Sequence, residues 1–120
     1  MEIIGANMLT SPRARYAQEL DAAIRDLADQ LGRMPEMRRV VLFGSAAAGR
    51  RDLHTDLDLL VIMDSDLSFV ARNAALAGRV RCGVALDLLA YTPAEVERMR
   101  ERPFMRQALA GKVLYEADAA

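Results

Sequence analysis

The chain has 120 residues, with 16 basic side chains against 17 acidic ones and a formal net charge of −1. That length supports one modest hydrophobic core, and a composition 52% apolar and 28% charged excludes a disordered or collagen-like chain. The balanced charge argues against general nucleic-acid binding, although it leaves room for a local anion site.

The longest apolar run, residues 57–63, is broken by Asp58, and no stretch nears the roughly 20 apolar residues of a membrane span. Glu2 and Asn7 interrupt the apolar start where a signal peptide would lie, so the expectation is a soluble, cytoplasmic protein. One cysteine, Cys82, and one histidine, His54, provide neither an internal disulfide nor a structural zinc set. A metal here would be held by oxygen.

Ser11 followed by Pro12 reads as an N-cap with proline at the first helical position. Tyr16, Leu20, Ile24, Leu27 and Leu31 recur at helical spacing, and Gly32 and Pro35 end the helix. Residues 40–43 form a short buried strand closed by Gly44, and a second strand runs over about residues 56–63. Residues 66–79 read as a helix with Leu67, Val70, Ala74 and Ala77 on one side. Residues 84–90 make a third strand. Thr92, Pro93 and Glu95 form a capping box that starts a helix, interrupted near Pro103. A last short helix ends at Gly111, and residues 113–115 read as a brief extended tail. Helices among three main strands predict an α/β or α+β fold, with helices packed on one small mixed sheet. No repeat or long linker divides the chain.

The chemistry concentrates between Gly44 and Asp58. A glycine and serine directly after a buried strand can turn backbone N–H groups toward phosphate oxygens, although such a turn is commonplace by itself. Strand residues two apart share a face, so Asp56 and Asp58 present their carboxylates together while Leu57 and Leu59 face the other way. Like charges at that spacing repel unless a cation sits between them, and magnesium, which takes carboxylate and phosphate oxygens together, suits the position. Asp87 lies among apolar neighbours in the third strand and is expected to be largely buried. It needs a metal, a cluster of donors, or an arginine such as Arg79 or Arg81. Should the second and third strands be neighbours, three carboxylates converge.

Gly44-Ser45, ten intervening residues, and then Asp56-Leu57-Asp58, with a later strand aspartate, resembles the signature of the DNA polymerase β-like nucleotidyltransferase superfamily. Within it the chain is similar to the minimal nucleotidyltransferase (MNT) group. The spacing would arise by accident on the order of once in several hundred such chains, which makes the match informative. The similarity extends through Tyr91-Thr92-Pro93-Ala94-Glu95 to Gly111-Lys112-Val113-Leu114-Tyr115-Glu116, covering residues 40–116. It implies a single nucleotidyltransferase-fold domain over residues 1–120, with the helix over about residues 11–32 as an accessory.

The resemblance further implies a two-metal nucleotidyl transfer. Asp56, Asp58 and Asp87 would be the catalytic and metal-binding residues, holding two magnesium ions with the nucleotide. Gly44 and Ser45 would hold the β- and γ-phosphates of a nucleoside triphosphate, with ATP the donor expected. Asp87 would also assist deprotonation of an acceptor hydroxyl. Many MNT proteins are antitoxins that adenylylate a tyrosine of a helical ribonuclease partner called HEPN, and that acceptor is the one expected here. Others, enlarged by a helical domain for which these 120 residues leave no room, modify aminoglycosides. A binding module that silences its partner by contact alone is the competing class. Seven methionines and several apolar helix faces permit a homo-oligomer without showing one.

The chain departs from the MNT pattern after Ser45, where Ala46, Ala47 and Ala48 stand in place of the usual arginines. Arg50 and Arg51 follow and are candidates to supply nucleotide-binding charge, unless they are solvated surface residues. Gly44 and Gly49 have P-loop separation, but Arg50 and Arg51 stand where that motif requires lysine and serine or threonine. Asp64 and Asp66 are better explained as helix capping, with Ser65, than as metal ligands. Thr55 is read as capping the turn before the second strand, His54 as an incidental loop residue, and Cys82 as small core filling.

Overall fold

Helix α1, Pro12–Gly32, begins in the computed structural model, which describes residues 11–118, where Ser11 Oγ accepts the Ala14 amide at 3.1 Å. The reading of Glu2 and Asn7 lies outside the described residues. The predicted stripe is the inward one, with Leu20, Ile24, Leu27 and Leu31 buried. After α1 come β1 (Met37–Phe43), α2 (Gly44–Ala47), β2 (Leu57–Met63), α3 (Phe69–Ala77) and β3 (Leu86–Tyr91). Helices α4 (Pro93–Met99) and α5 (Pro103–Leu109) then lead into β4 (Lys112–Glu116).

The sheet order is β3-β2-β1-β4, with β1 antiparallel to both β2 and β4, and β2 parallel to β3. This is a mixed α+β sheet whose two faces are covered by different helices. On one face α1 packs Leu20, Leu27 and Leu31 against Val40, Leu42, Leu57, Leu59 and Val61. On the other, α4 and α5 bring Val96, Met105 and Ala108 onto Val41, Leu60 and Ile62. Strand β2 is therefore apolar on both faces, which is why Asp58 stands out within it. No helix among the described residues is long and apolar enough to cross a membrane.

Three expectations need correction. Residues 113–115 are not a tail: they belong to β4, so the sheet has four strands rather than three. Its pairing depends on Gly111, where any side chain would run into the Leu42 carbonyl, and a contact across some seventy residues leaves no local signature.

The inward face of α3 is also different. Val70 is 78% exposed and Leu67 50%, while the buried residues are Arg72 and Leu76. Arg72, only 3% exposed, forks onto both Glu95 oxygens at 2.7 and 3.1 Å and donates to the Ala90 and Leu67 carbonyls at 2.9 and 3.1 Å. Hydrophobic periodicity cannot reveal a helix whose anchor is an ion pair.

Lastly, the cap of α3 is Ser68, whose Oγ accepts the Ala71 amide at 3.3 Å. Asp66 does not cap the helix. Ser65 closes a turn onto Leu67, and Asp64 pairs with Arg38 at 2.7 Å.

Candidate active site

Gly44 sits at the hinge between β1 and α2. Phe43 is extended, the next residue has φ +75°, and a Cβ there would strike Asp58 Oδ2. Both the left-handed backbone and the close approach of the carboxylate require glycine. The register explains the closeness, because Asp58 lies opposite Phe43 in the antiparallel β1–β2 pair. In the parallel β2–β3 pair the same Asp58 lies opposite Asp87. Two strand pairings thus bring Gly44, Asp58 and Asp87 to one end of the sheet, with Ser45 one residue further on.

Asp58 is partly buried, and its pKa is raised. Burial contributes most, followed by the Asp87 charge, a carboxyl–carboxyl hydrogen bond to Asp87, and the Asp56 charge. Asp56 precedes β2 by one residue and is exposed. Asp87 is exposed too, contrary to the expectation of a buried charge, because β3 is the edge strand. It has not found an arginine: Arg79 is engaged by Glu36 at 3.0 Å, and Arg81 is tied to the fold through its backbone by Gln30.

The donor set is all oxygen and short of positive charge, which suits a hard divalent cation. Among the described residues, no three His, Cys, Asp or Glu side chains are gathered closely enough to form a complete metal cage. Magnesium is commonly held through one or two carboxylates with phosphate oxygens and water completing the shell, and the arrangement fits that mode rather than an all-protein cage.

The loop before β2 is organised by Asp52. Its Oδ1 accepts the His54 amide at 2.9 Å and the Thr55 hydroxyl at 3.1 Å, while its own amide donates to Thr55 Oγ1 at 3.1 Å. Thr55 is fully buried, and its carbonyl accepts the Tyr16 hydroxyl from α1 at 2.9 Å. This loop determines where Asp56 and Asp58 begin. The hydrogen bond from Arg50 dominates in holding the Asp52 carboxyl down to about 2. The Asp52-x-x-Thr55 spacing is a side-chain-to-backbone turn that the sequence itself carries, and it makes Asp52 a positioning residue for the strand that follows.

Arg50 and Arg51 are committed elsewhere in this structure. Arg50 binds Asp52 at 2.6 Å, and Arg51 binds Asp21 of α1 at 2.9 Å and the Ala46 carbonyl at 2.7 Å. They line a hollow on the α1 side with Ser11, Arg13, Ala14, Ala17 and Gly49. Gly44 and Ser45 line a different groove of about 710 Å³, walled by Phe43, Ala47 and Ala48 on one side and Gln107, Ala110, Gly111 and Lys112 on the other. His54 is exposed, and Cys82 is partly buried against the α1-side core.

A glycine hinge beside strand carboxylates, on a small mixed sheet flanked by helices, marks this as an α+β domain with its polar site at one end of the sheet. The nucleotidyltransferase domain profile matches residues 24–118, and the chain belongs to that family. No curated protein matches the sequence. Among solved structures, a candidate nucleotidyltransferase from Sulfolobus solfataricus is 19% identical with a TM-score of 0.47, covering 72% of this chain and 75% of its own. A toxin-antitoxin structure with AMP-PNP is 20% identical at a TM-score of 0.45, covering 85% and 74%. A mutant of the MntA-HpeT toxin-antitoxin pair is 19% identical, with the same TM-score and coverage.

Proposed function

We propose that this nucleotidyltransferase moves AMP from ATP to a hydroxyl, and that the acceptor is a tyrosine of a helical HEPN-type partner protein, which the modification silences. The observation that carries the reading is the register placing Asp58 directly against Asp87 and beside Gly44.

In this reading Asp56, Asp58 and Asp87 hold two magnesium ions together with the triphosphate. Such ions would supply charge neutralisation at the reacting phosphate. Gly44 and Ser45 seat the β- and γ-phosphates through the hinge. Asp87, on the exposed edge strand, receives the acceptor proton. The acceptor oxygen bonds to the α-phosphorus, the bond to the bridging oxygen breaks, and pyrophosphate leaves. The openness of this rim, with Asp56 and Asp87 both exposed, supports an acceptor carried on a protein surface.

Calorimetry with ATP, with and without magnesium, tests the donor half. Wild type binds only with the metal, and the Asp56→Ala, Asp58→Ala double variant does not bind. Failure of wild type at millimolar ATP removes the autonomous-enzyme reading. Given binding, α-labelled ATP and a co-purified helical partner should yield an AMP mass increment on a partner tyrosine. Binding without transfer would favour the contact-only module, a reading to which Ala46, Ala47 and Ala48 lend some support.

A further inference from the structure

We propose that Lys112 is the cation that grips the outer phosphates of the nucleotide, filling the charge left absent after Ser45. The inference rests on the nucleotidyl-transfer reading and adds a residue to it.

Lys112 is the only lysine in the chain, and it stands at the first position of β4. Its partner in the β1–β4 register is Leu42, two residues before Gly44. Asp58, opposite Phe43, flanks β1 on the other side. Two strand spacings separate the β2 and β4 backbones, about 10 Å, with Gly44 and Ser45 at the strand end between them. A triphosphate chain and an extended lysine side chain together span a gap of that order. The register sets Lys112 level with Leu42 on the α1-side face and Asp58 level with Phe43 on the other, so the two approach each other only around the strand end, where Gly44, Ser45 and Lys112 line one groove.

The groove chemistry supports this assignment. Among the residues lining it Lys112 alone is charged, no carboxylate is present, and Ser45 and Gln107 add polar groups. Among the described residues no ion pair or hydrogen bond occupies the Lys112 ammonium. Arg50 and Arg51, the other cations near the hinge, face the α1-side hollow and are bound to Asp52 and Asp21. Gly111 sets the placement: without a Cβ it lets the chain leave α5 against the Leu42 carbonyl, so β4 opens with Lys112 at the groove wall.

The test compares wild type, Lys112→Ala and Lys112→Arg for binding of ATP and of inorganic tripolyphosphate, in magnesium. Tripolyphosphate reads the groove without the base. Loss of one charge-assisted contact weakens both ligands about tenfold or more in Lys112→Ala, and Lys112→Arg recovers most of the loss. Thermal midpoints without ligand stay equal, because Lys112 is exposed at a strand end. Equal tripolyphosphate binding by wild type and Lys112→Ala overturns the role of Lys112 and leaves the nucleotidyl-transfer reading standing. Failure of wild type to bind either ligand overturns both.

Discussion

At the residue scale, two aspartates in one short segment are shifted in opposite directions. Asp58 is pushed up, chiefly by burial and then by Asp87, so the folded protein holds its proton more tightly than the unfolded chain does. Without metal, that group's contribution to stability falls as pH rises through the shifted range. Asp52 is the reverse. Held down to about 2, first of all by the Arg50 hydrogen bond, it stabilises the fold fully above the ordinary carboxylate pKa, and the contribution disappears as pH falls toward 2. The urea midpoint of wild type should therefore exceed that of Asp52→Asn most clearly at neutral pH. The difference should shrink once pH drops below about 4. A difference independent of pH would mean that shape, rather than charge, makes Asp52 useful. The Asp56–Asp58 spacing was legible in the sequence, although β2 begins only at Leu57 and leaves Asp56 just outside the strand; the direction of the Asp58 shift was not legible. It depends on Asp87, 29 residues away in sequence and directly opposite in space.

Helix α3 shows how a single element can mislead sequence reading. Its apolar spacing points to Leu67 and Val70, yet these are exposed, and the helix is docked by Arg72 and Asn73. Asn73 takes both the amide and the carbonyl of Ala90, at 2.8 and 3.1 Å, which satisfies backbone groups on the β3 edge. Arg72 joins α3 to the capping box of α4, because its partner Glu95 also accepts the Thr92 amide at 2.8 Å. Breaking a buried pair by removing one partner typically costs about 3–5 kcal/mol, and partial exposure of Glu95 places Arg72→Ala at the lower end, about 3 kcal/mol. Arg72→Lys should recover little of it, since an ammonium cannot reproduce the fork onto two carboxylate oxygens and two carbonyls. Urea unfolding of the two variants checks this, and a loss under 1 kcal/mol for either would contradict it. By contrast, α1 and the start of α4 were legible, because proline, serine or threonine caps and regular apolar spacing act within a few residues.

For the whole molecule, the arrangement couples ligand to stability. Asp56, Asp58 and Asp87 stand at one end of the sheet and, among the described residues, form no cage of three ligands, so magnesium alone should raise Tm only slightly. In the proposed reading, ATP and magnesium together supply the remaining oxygens. At about 100 times Kd they add roughly 2.7 kcal/mol, a rise on the order of 10 °C for a domain of this size. The Asp56→Ala, Asp58→Ala variant should show no such rise. An equal shift with ATP alone would indicate a nucleotide site independent of the metal.

Two kinds of information meet in this fold. The sequence by itself determined the α1 boundaries, the start of α4, the strand cores, the glycine hinge and the Asp56–Asp58 spacing, because capping, proline geometry and strand alternation act between residues close along the chain. It also carried the Gly-Ser and Asp-x-Asp spacing that marks the nucleotidyltransferase family. Tertiary structure alone decided that β4 completes the sheet, that Asp87 faces Asp58 on an exposed edge, that Arg51 turns to α1, and that Lys112 lines the groove beside Gly44 and Ser45. Each of these depends on pairing between segments distant in sequence, where register and strand order set which side chains meet, and no local pattern encodes either one.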